Sequence, residues 1–397
     1  MPYNPNPDQL NEYFETNMAR YLDILKQMVS INSFTSRPEG VDQLGKLTID
    51  IFGQLGFVAE SVPSANRNYG QHLFLTRPGA NGSKSPTIGL VSHLDTVYPP
   101  EDEQRNNFSW RVEGDRVYGP GTIDIKGGTL MIYMILEYLQ TSAPQVFEDT
   151  TWMILMDAAE EALEPDFGRL CRQRLPEDAL ACLVFEGGRH WDKKFSIVTS
   201  RKGMATFEID VEGKAAHAGS AHKKGANAIV QLAHTISRIS ELTDYGNGIT
   251  FNVGNIEGGT VTNRVPHRAF AGGEMRAFSQ DELEKGISRL LALQDDVQVY
   301  SLNGSYRCDV NVRILQSWRP WPSNEGSKHL LSFWQEAAKS LDFEVTGAKR
   351  GGLSDGNFLW DHLPTIDGLG PAGGNAHCSE RSQDGSKDQE YVRISSF

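Results

Sequence analysis

At 397 residues the chain is longer than one hydrophobic core usually serves, so two domains are expected. A hydrophobic fraction of 39% and a charged fraction of 22% are those of an ordinary globular protein. The net charge of −13 excludes a general nucleic-acid binder, which needs a basic face, although a few placed arginines or metal ions still allow an anionic substrate. The four cysteines, Cys171, Cys182, Cys308 and Cys378, form no CxxC pair, so buried or idle thiols in a reducing compartment are expected. The opening MPYNPNPDQLNEYFETN is polar with no apolar core of a signal peptide, and no apolar run approaches the roughly 18 residues of a membrane span. The expectation is a soluble, cytoplasmic protein.

Residues 1–13 read as a loose extension. Over 14–57, apolar residues recur at helical spacing (Leu22, Leu25, Met28 and Val29, then Leu44, Leu47, Ile51, Phe52 and Leu55), which predicts two helices around a turn at 30–40. Three short apolar runs follow. Residues 87–92 end at His93, residues 151–156 lead to Glu160 and Glu161, and residues 180–185 end at Glu186. Between the first two stands VYGPGTIDIKGG, residues 117–128, in which Asp124 follows a glycine-rich turn and precedes a predicted helix at 130–139. Runs apolar on both faces, alternating with helices, predict an α/β domain with a mixed, mostly parallel sheet and helices on both faces. In such sheets ligands gather at the carboxyl ends of the strands, where these acids and the histidine fall.

Near Arg201 the pattern changes. Residues 204–211 alternate as a one-sided strand, 226–242 read as an amphipathic helix, and strands near 250–256 and 269–277 follow. A helix at 281–293 and a strand at 297–302 complete a β-α-β-β-α-β order, that of a small α+β open-faced sandwich inserted into the larger domain. The chain then returns through a helix at 327–340, a polar turn at 351–355 and a short strand at 365–369 to GPAGGNAH and His377. The expected division is a catalytic domain of residues 1–200 and 313–397, with an insertion over 201–312. The ending after EYVRISS is abrupt, and a further helix is expected beyond Phe397.

Together His93, Asp124, Glu161, Glu186 and His377 offer two neutral nitrogens and three carboxylates, a set that suits zinc, with manganese or cobalt as competitors. Five side chains are one too many for a single tetrahedral ion. They fit two ions about 3.5–4 Å apart if one carboxylate bridges. Asp95, two residues after His93, can accept a hydrogen bond from the far ring nitrogen and fix the tautomer. Glu160 is left free to take a proton from a bridging water.

These motifs resemble those of the zinc metallopeptidase and deacylase family that includes acetylornithine deacetylase, succinyl-diaminopimelate desuccinylase and bacterial glutamate carboxypeptidase. The matching stretches are SHLDTV at 92–97, GTIDIKGG at 121–128, Glu160-Glu161, Glu186, Ala376-His377, GKAAHAG at 213–219, NRVP at 263–266, Glu274-Met275-Arg276 and GLSD at 352–355. The resemblance implies that Asp124 bridges two cations, with His93 and Glu186 on one and Glu161 and His377 on the other. It further implies that Glu160 is the general base, that Asp95 orients the site and that the Asp124–Ile125 peptide is cis. The insertion resembles a lid and dimerisation domain, so His217 of the partner subunit would bind the oxyanion. Asn263 and Arg276 would hold the substrate's free carboxylate, with Arg319 a weaker candidate.

The chain also departs from the pattern. Asp157-Ala158-Ala159 precedes the glutamate pair where relatives carry an acid or threonine directly before it, ALEPDFGRL lacks the usual Gly-Ser step, and CSERSQDGSKDQ inserts residues after His377. The resulting expectation is a homodimeric two-metal hydrolase that cleaves an amide bond next to a free carboxylate. A glutamate-releasing carboxypeptidase is the first choice and an N-acyl-amino-acid deacylase the second. A metal-free binding protein on the same fold is the alternative of a different class.

Overall fold

The computed structural model describes residues 6–397. The expected loose extension is helical from its seventh residue, and residues 1–5 lie outside those described. Helix Pro7–Val29 begins where the Asn6 side chain accepts the Asp8 amide at 2.9 Å and Pro7 occupies the first turn. Asn-Pro reads as punctuation in a sequence, yet here it is a cap followed by a residue whose missing N–H costs nothing.

The chain forms two compact units. The first comprises residues up to Thr199, Ser323–Lys349 and Ser354–Phe397; the second comprises Ser200–Pro322 and Arg350–Leu353. In the first, a six-stranded sheet runs in the order Val58–Pro63, Gln71–Arg77, Thr151–Asp157, Thr87–His93, Ala181–Val184, Thr365–Ile366. The last four strands are mutually parallel, and Gln71–Arg77 runs antiparallel to both of its neighbours, so the sheet is mixed and mostly parallel.

Strand residues alternate between two apolar layers. Leu73, Leu75, Ile154 and Met156 pack with Tyr21, Leu25, Phe52 and Leu130 from the helices on one face. Phe74, Met153 and Leu155 pack with Phe167, Leu170 and Leu359 on the other. Burial on both faces is why these strands read as unbroken apolar runs. Register sets His93 opposite Asp157, so the ends of the two central strands lie side by side.

The second unit is an antiparallel sheet in the order Thr250–Gly258, Arg268–Ala277, Gly203–Glu212, Asp309–Trp318, covered by helices Ala228–Ser240 and Gln280–Ala292. Phe207, Ile209 and Val211 face the helices, while Glu208 and Asp210 face away and pair with Arg313. This is an open-faced α+β sandwich.

The strand expected at 297–302 is not in the sheet; its place is taken by Asp309–Trp318, whose Val310 and Val312 alternate inward. The chain accordingly returns to the first unit after Pro322 rather than at 313. All four cysteines are free thiols, three buried and Cys378 half-buried. Among the described residues no helix is long and apolar enough to cross a membrane.

Candidate metal centre

His93 is the last residue of its strand, and the chain turns straight back through Asp95. The His93 Nδ1 lies 3.0 Å from the Asp95 carbonyl oxygen and 3.4 Å from its carboxylate. Asp95 therefore holds the ring mainly with its backbone. Its carboxylate has other work: Oδ1 accepts the Glu160 amide at 3.2 Å, and Oδ2 accepts the Glu161 amide at 3.2 Å and the Thr35 hydroxyl at 2.8 Å. One buried acid thus ties the histidine to the turn Glu160–Ala162 that follows the neighbouring strand.

Asp124 stands between Gly121, at φ 76°, and the start of helix Gly127–Ser142, and the Asp124–Ile125 peptide is cis. The glycines of this motif have a steric cause. A Cβ on Gly128 would lie 2.0 Å from the Phe185 carbonyl oxygen, so the helix start seats directly on the strand end that carries Glu186. The amides of Ile123 and Asp124 both donate to Glu390 Oε1, at 2.9 and 3.2 Å, and Tyr98 donates to Glu390 Oε2 at 2.5 Å.

The side chains meet as two trios that share Asp124. Its Oδ1 lies 3.0 Å from His93 Nε2, which is also 3.9 Å from Glu186 Oε1. Its Oδ2 lies 3.2 Å from His377 Nε2, which is 3.3 Å from Glu161 Oε2. Each trio, His93–Asp124–Glu186 and Asp124–Glu161–His377, offers donor atoms within 4.8 Å of one another, as does the set His93–Glu160–Glu161. Glu161 Oε1 is buried without a hydrogen-bond partner.

With its Nδ1 proton on Asp95, a neutral His93 turns a lone pair toward carboxylate oxygens, an arrangement that requires a cation or a proton between them. Four carboxylates crowd this space, and two divalent cations would offset their charge. The donor set and the orphaned oxygen fit such ions.

The proton equilibria of the protein alone express the same crowding. Burial opposes a charged Asp124, yet contact with His377 and His93 holds its carboxyl well below the usual range. Asp124 and Glu161 push His377 up to about 11. Burial, reinforced by Glu186, Glu161 and Asp124, pushes Glu160 well up. Burial also raises Glu161 and, with Asp124 nearby, pushes Glu390 up to about 7.

The first unit brings His93, Asp95, Asp124, Glu160, Glu161, Glu186 and His377 together. The other four predicted residues belong to the second unit. There His217 is exposed, and its Nδ1 accepts the amides of Gly219 and Ser220 at 3.1 Å each, which leaves the proton on Nε2 as a donor. The Ala218 amide bonds the Asn263 carbonyl at 2.9 Å, so the loops of His217 and Asn263 adjoin. Arg276 makes a forked pair with Glu274 at 2.8 and 3.0 Å and donates to Gly351 O at 3.1 Å. Arg319 is exposed.

Sequence reasoning singled out neither Glu390 nor Tyr98 and Thr35, whose role is visible only as bonds to residues far away in the chain. The segment inserted after His377 is tied down, with Arg381 gripping Glu113 at 3.0 and 3.2 Å and Gln389 donating to Asn106 O and Ser379 O.

The sequence relatives support a metal-dependent hydrolase of the carboxypeptidase or deacylase kind. The family model described as a peptidase dimerisation domain matches residues 199–298. Carboxypeptidase G2 of Pseudomonas sp. (strain RS-16) is 28% identical over 381 residues, covering 94% of this chain and 85% of that one. Succinyl-diaminopimelate desuccinylase of Bradyrhizobium sp. (strain ORS 278) is 25% identical over 305 residues, covering 72% and 75%. The fold is shared with the Bacillus subtilis YXEP protein, a dinuclear metal-binding peptidase of the M20 family, at a TM-score of 0.67 and 15% identity over 96% of this chain and 94% of that one. The chain is thus similar in sequence to proteins named as carboxypeptidase and desuccinylase, and in fold to M20 peptidases.

Proposed function

We propose that the protein is a two-metal carboxypeptidase that removes a C-terminal amino acid, glutamate first among candidates, from a small peptide or folate-like conjugate. The observation that carries this reading is Asp124, whose two oxygens each face a different histidine at 3.0 and 3.2 Å. His93 and Glu186 would hold one ion, Glu161 and His377 the other, with zinc favoured by the nitrogen and oxygen donors and manganese or cobalt able to replace it. Bound there, the ions would supply Lewis-acid polarisation of the scissile carbonyl and lower the pKa of a shared water.

The chain's own residues would do the rest. Glu160, whose side chain makes no hydrogen bond among the described residues, takes the proton of the attacking water and returns it to the leaving amine. Asp95 fixes the amides of Glu160 and Glu161, so the base and a ligand move as one piece. His217 of the partner subunit, a donor through Nε2, stabilises the oxyanion. Asn263 and Arg276 hold the substrate carboxylate, which must compete with Glu274 for the Arg276 guanidinium.

Metal analysis of the purified protein tests the frame, with two ions per chain expected and fewer than about one favouring a metal-free binding protein. A substrate panel then separates the two hydrolases. Glutamate released from peptides and folate-like conjugates marks the carboxypeptidase. Turnover confined to N-acyl amino acids marks a deacylase, the second reading, which the desuccinylase relative favours.

A further inference from the structure

The loop that presents Glu160 and Glu161 spans residues 158–165, and its sequence departs from the resembled family on both sides of the glutamate pair. It leaves Asp157, the last residue of strand Thr151–Asp157, and ends at Asp166, the first residue of helix Asp166–Arg174. Its regular structure is a single three-residue turn, Glu160–Ala162.

Between the two ends lies His72, wholly buried, on the adjacent strand Gln71–Arg77. Its Nδ1 is 3.0 Å from Asp157 Oδ1 and 3.2 Å from the Ala158 amide nitrogen, and its Nε2 is 3.2 Å from Asp166 Oδ2. The ring also packs on Phe167, with centroids 5.4 Å apart. Each carboxylate grips backbone as well as ring: Asp157 Oδ1 accepts the Ala159 amide at 2.8 Å, and Asp166 Oδ2 accepts the Ala65 amide at 2.6 Å.

We propose that His72 is a positioning residue: held to Asp157 and the Ala158 amide through Nδ1 and to Asp166 through Nε2, it clamps both ends of the 158–165 loop and so sets where Glu160 and Glu161 stand. This rests on the two-metal reading above. A ring protonated at both nitrogens donates to both acids, whereas a neutral ring protonated at Nε2 donates to Asp166 and accepts the Ala158 amide at Nδ1. Burial lowers the affinity of the ring for its second proton, but the bonds to Asp157 and Asp166 outweigh it and push the pKa up to about 9. Without the ring, two buried acids would face each other across the loop with no cation between them.

The test uses the full chain, metal-free and zinc-loaded, as wild type, His72→Gln and Asp166→Asn. The second variant serves if the first does not fold. In the metal-free protein, hydrogen exchange across 158–165 should quicken about tenfold while strand Thr87–His93 stays protected. With zinc, the affinity of the ion served by Glu161 should fall about 10–100-fold, the ion served by His93 and Glu186 should remain, and kcat should drop at constant KM. Unchanged loop protection with both ions bound overturns the clamp and leaves the two-metal reading standing. Exchange that rises evenly over the whole sheet also overturns it, since that marks a merely structural histidine. A wild-type protein that binds no zinc overturns the two-metal reading, and the metal-free exchange still decides on the clamp.

Discussion

The two oxygens of Asp124 each face a histidine, and its position depends on one acid outside the proposed ligand set. Glu390 accepts the amides of Ile123 and Asp124, which otherwise would lie buried and unpaired. Glu390→Ala should therefore cost about 1–3 kcal/mol, read from urea midpoints, and weaken zinc binding as the Asp124 turn loosens. Glu160→Gln should leave metal content intact and lower kcat about 10²–10⁴-fold, since the shape stays and the proton acceptor goes. Retained turnover would end its assignment as the base. The proposed ligands were legible in the sequence because each stands at the tip of an apolar run or in a glycine turn. Glu390 was not, because its partners lie 266 and 267 positions away and nothing local marks it.

At the scale of elements, the start of helix Gly127–Ser142 lies against Phe185, just past strand Ala181–Val184, only because Gly128 has no side chain. Gly128→Ala would set a methyl 2.0 Å from the Phe185 carbonyl, so the helix start must shift. A loss of about 1–3 kcal/mol and weaker zinc binding are expected, measured by unfolding and by metal titration. The His72 clamp has a pH signature. Its folded pKa, about 9, lies above the ordinary 6.5, so its contribution is full below pH 6.5 and is lost as pH rises through about 9. Unfolding midpoints between pH 6 and 10 should fall more for the wild type than for His72→Gln; parallel curves would exclude a charged ring. Sequence patterning located the buried parallel strands well. It missed the edge strand Val58–Pro63, whose positions are mostly exposed, and its neighbour Gln71–Arg77, whose polar residues dilute the apolar signal. It also placed the fourth strand of the second unit at 297–302, where Val297 is buried although the stretch joins no sheet.

For the molecule as a whole, residues held in one unit by cations should lose stability when the cations are removed. Chelation should lower the first thermal transition, with about 4 kcal/mol at stake when free zinc stands a thousandfold above its Kd. The second unit, which contributes none of the proposed ligands, should melt unchanged; a fall in both transitions would show that the two units unfold together. The insertion was legible as a change of texture near Arg201, whereas its return after Pro322 was hidden because strand Asp309–Trp318 continues past the expected boundary. The grip of Glu390 on Asp124 also bears on biosynthesis. At about 5–20 residues per second, a ribosome needs on the order of tens of seconds to reach codon 390 after translating codon 124. Throughout that interval the Asp124 turn lacks the acid that accepts its amides, so a message cut short between codons 377 and 390 should yield product that captures zinc poorly although every proposed ligand is present.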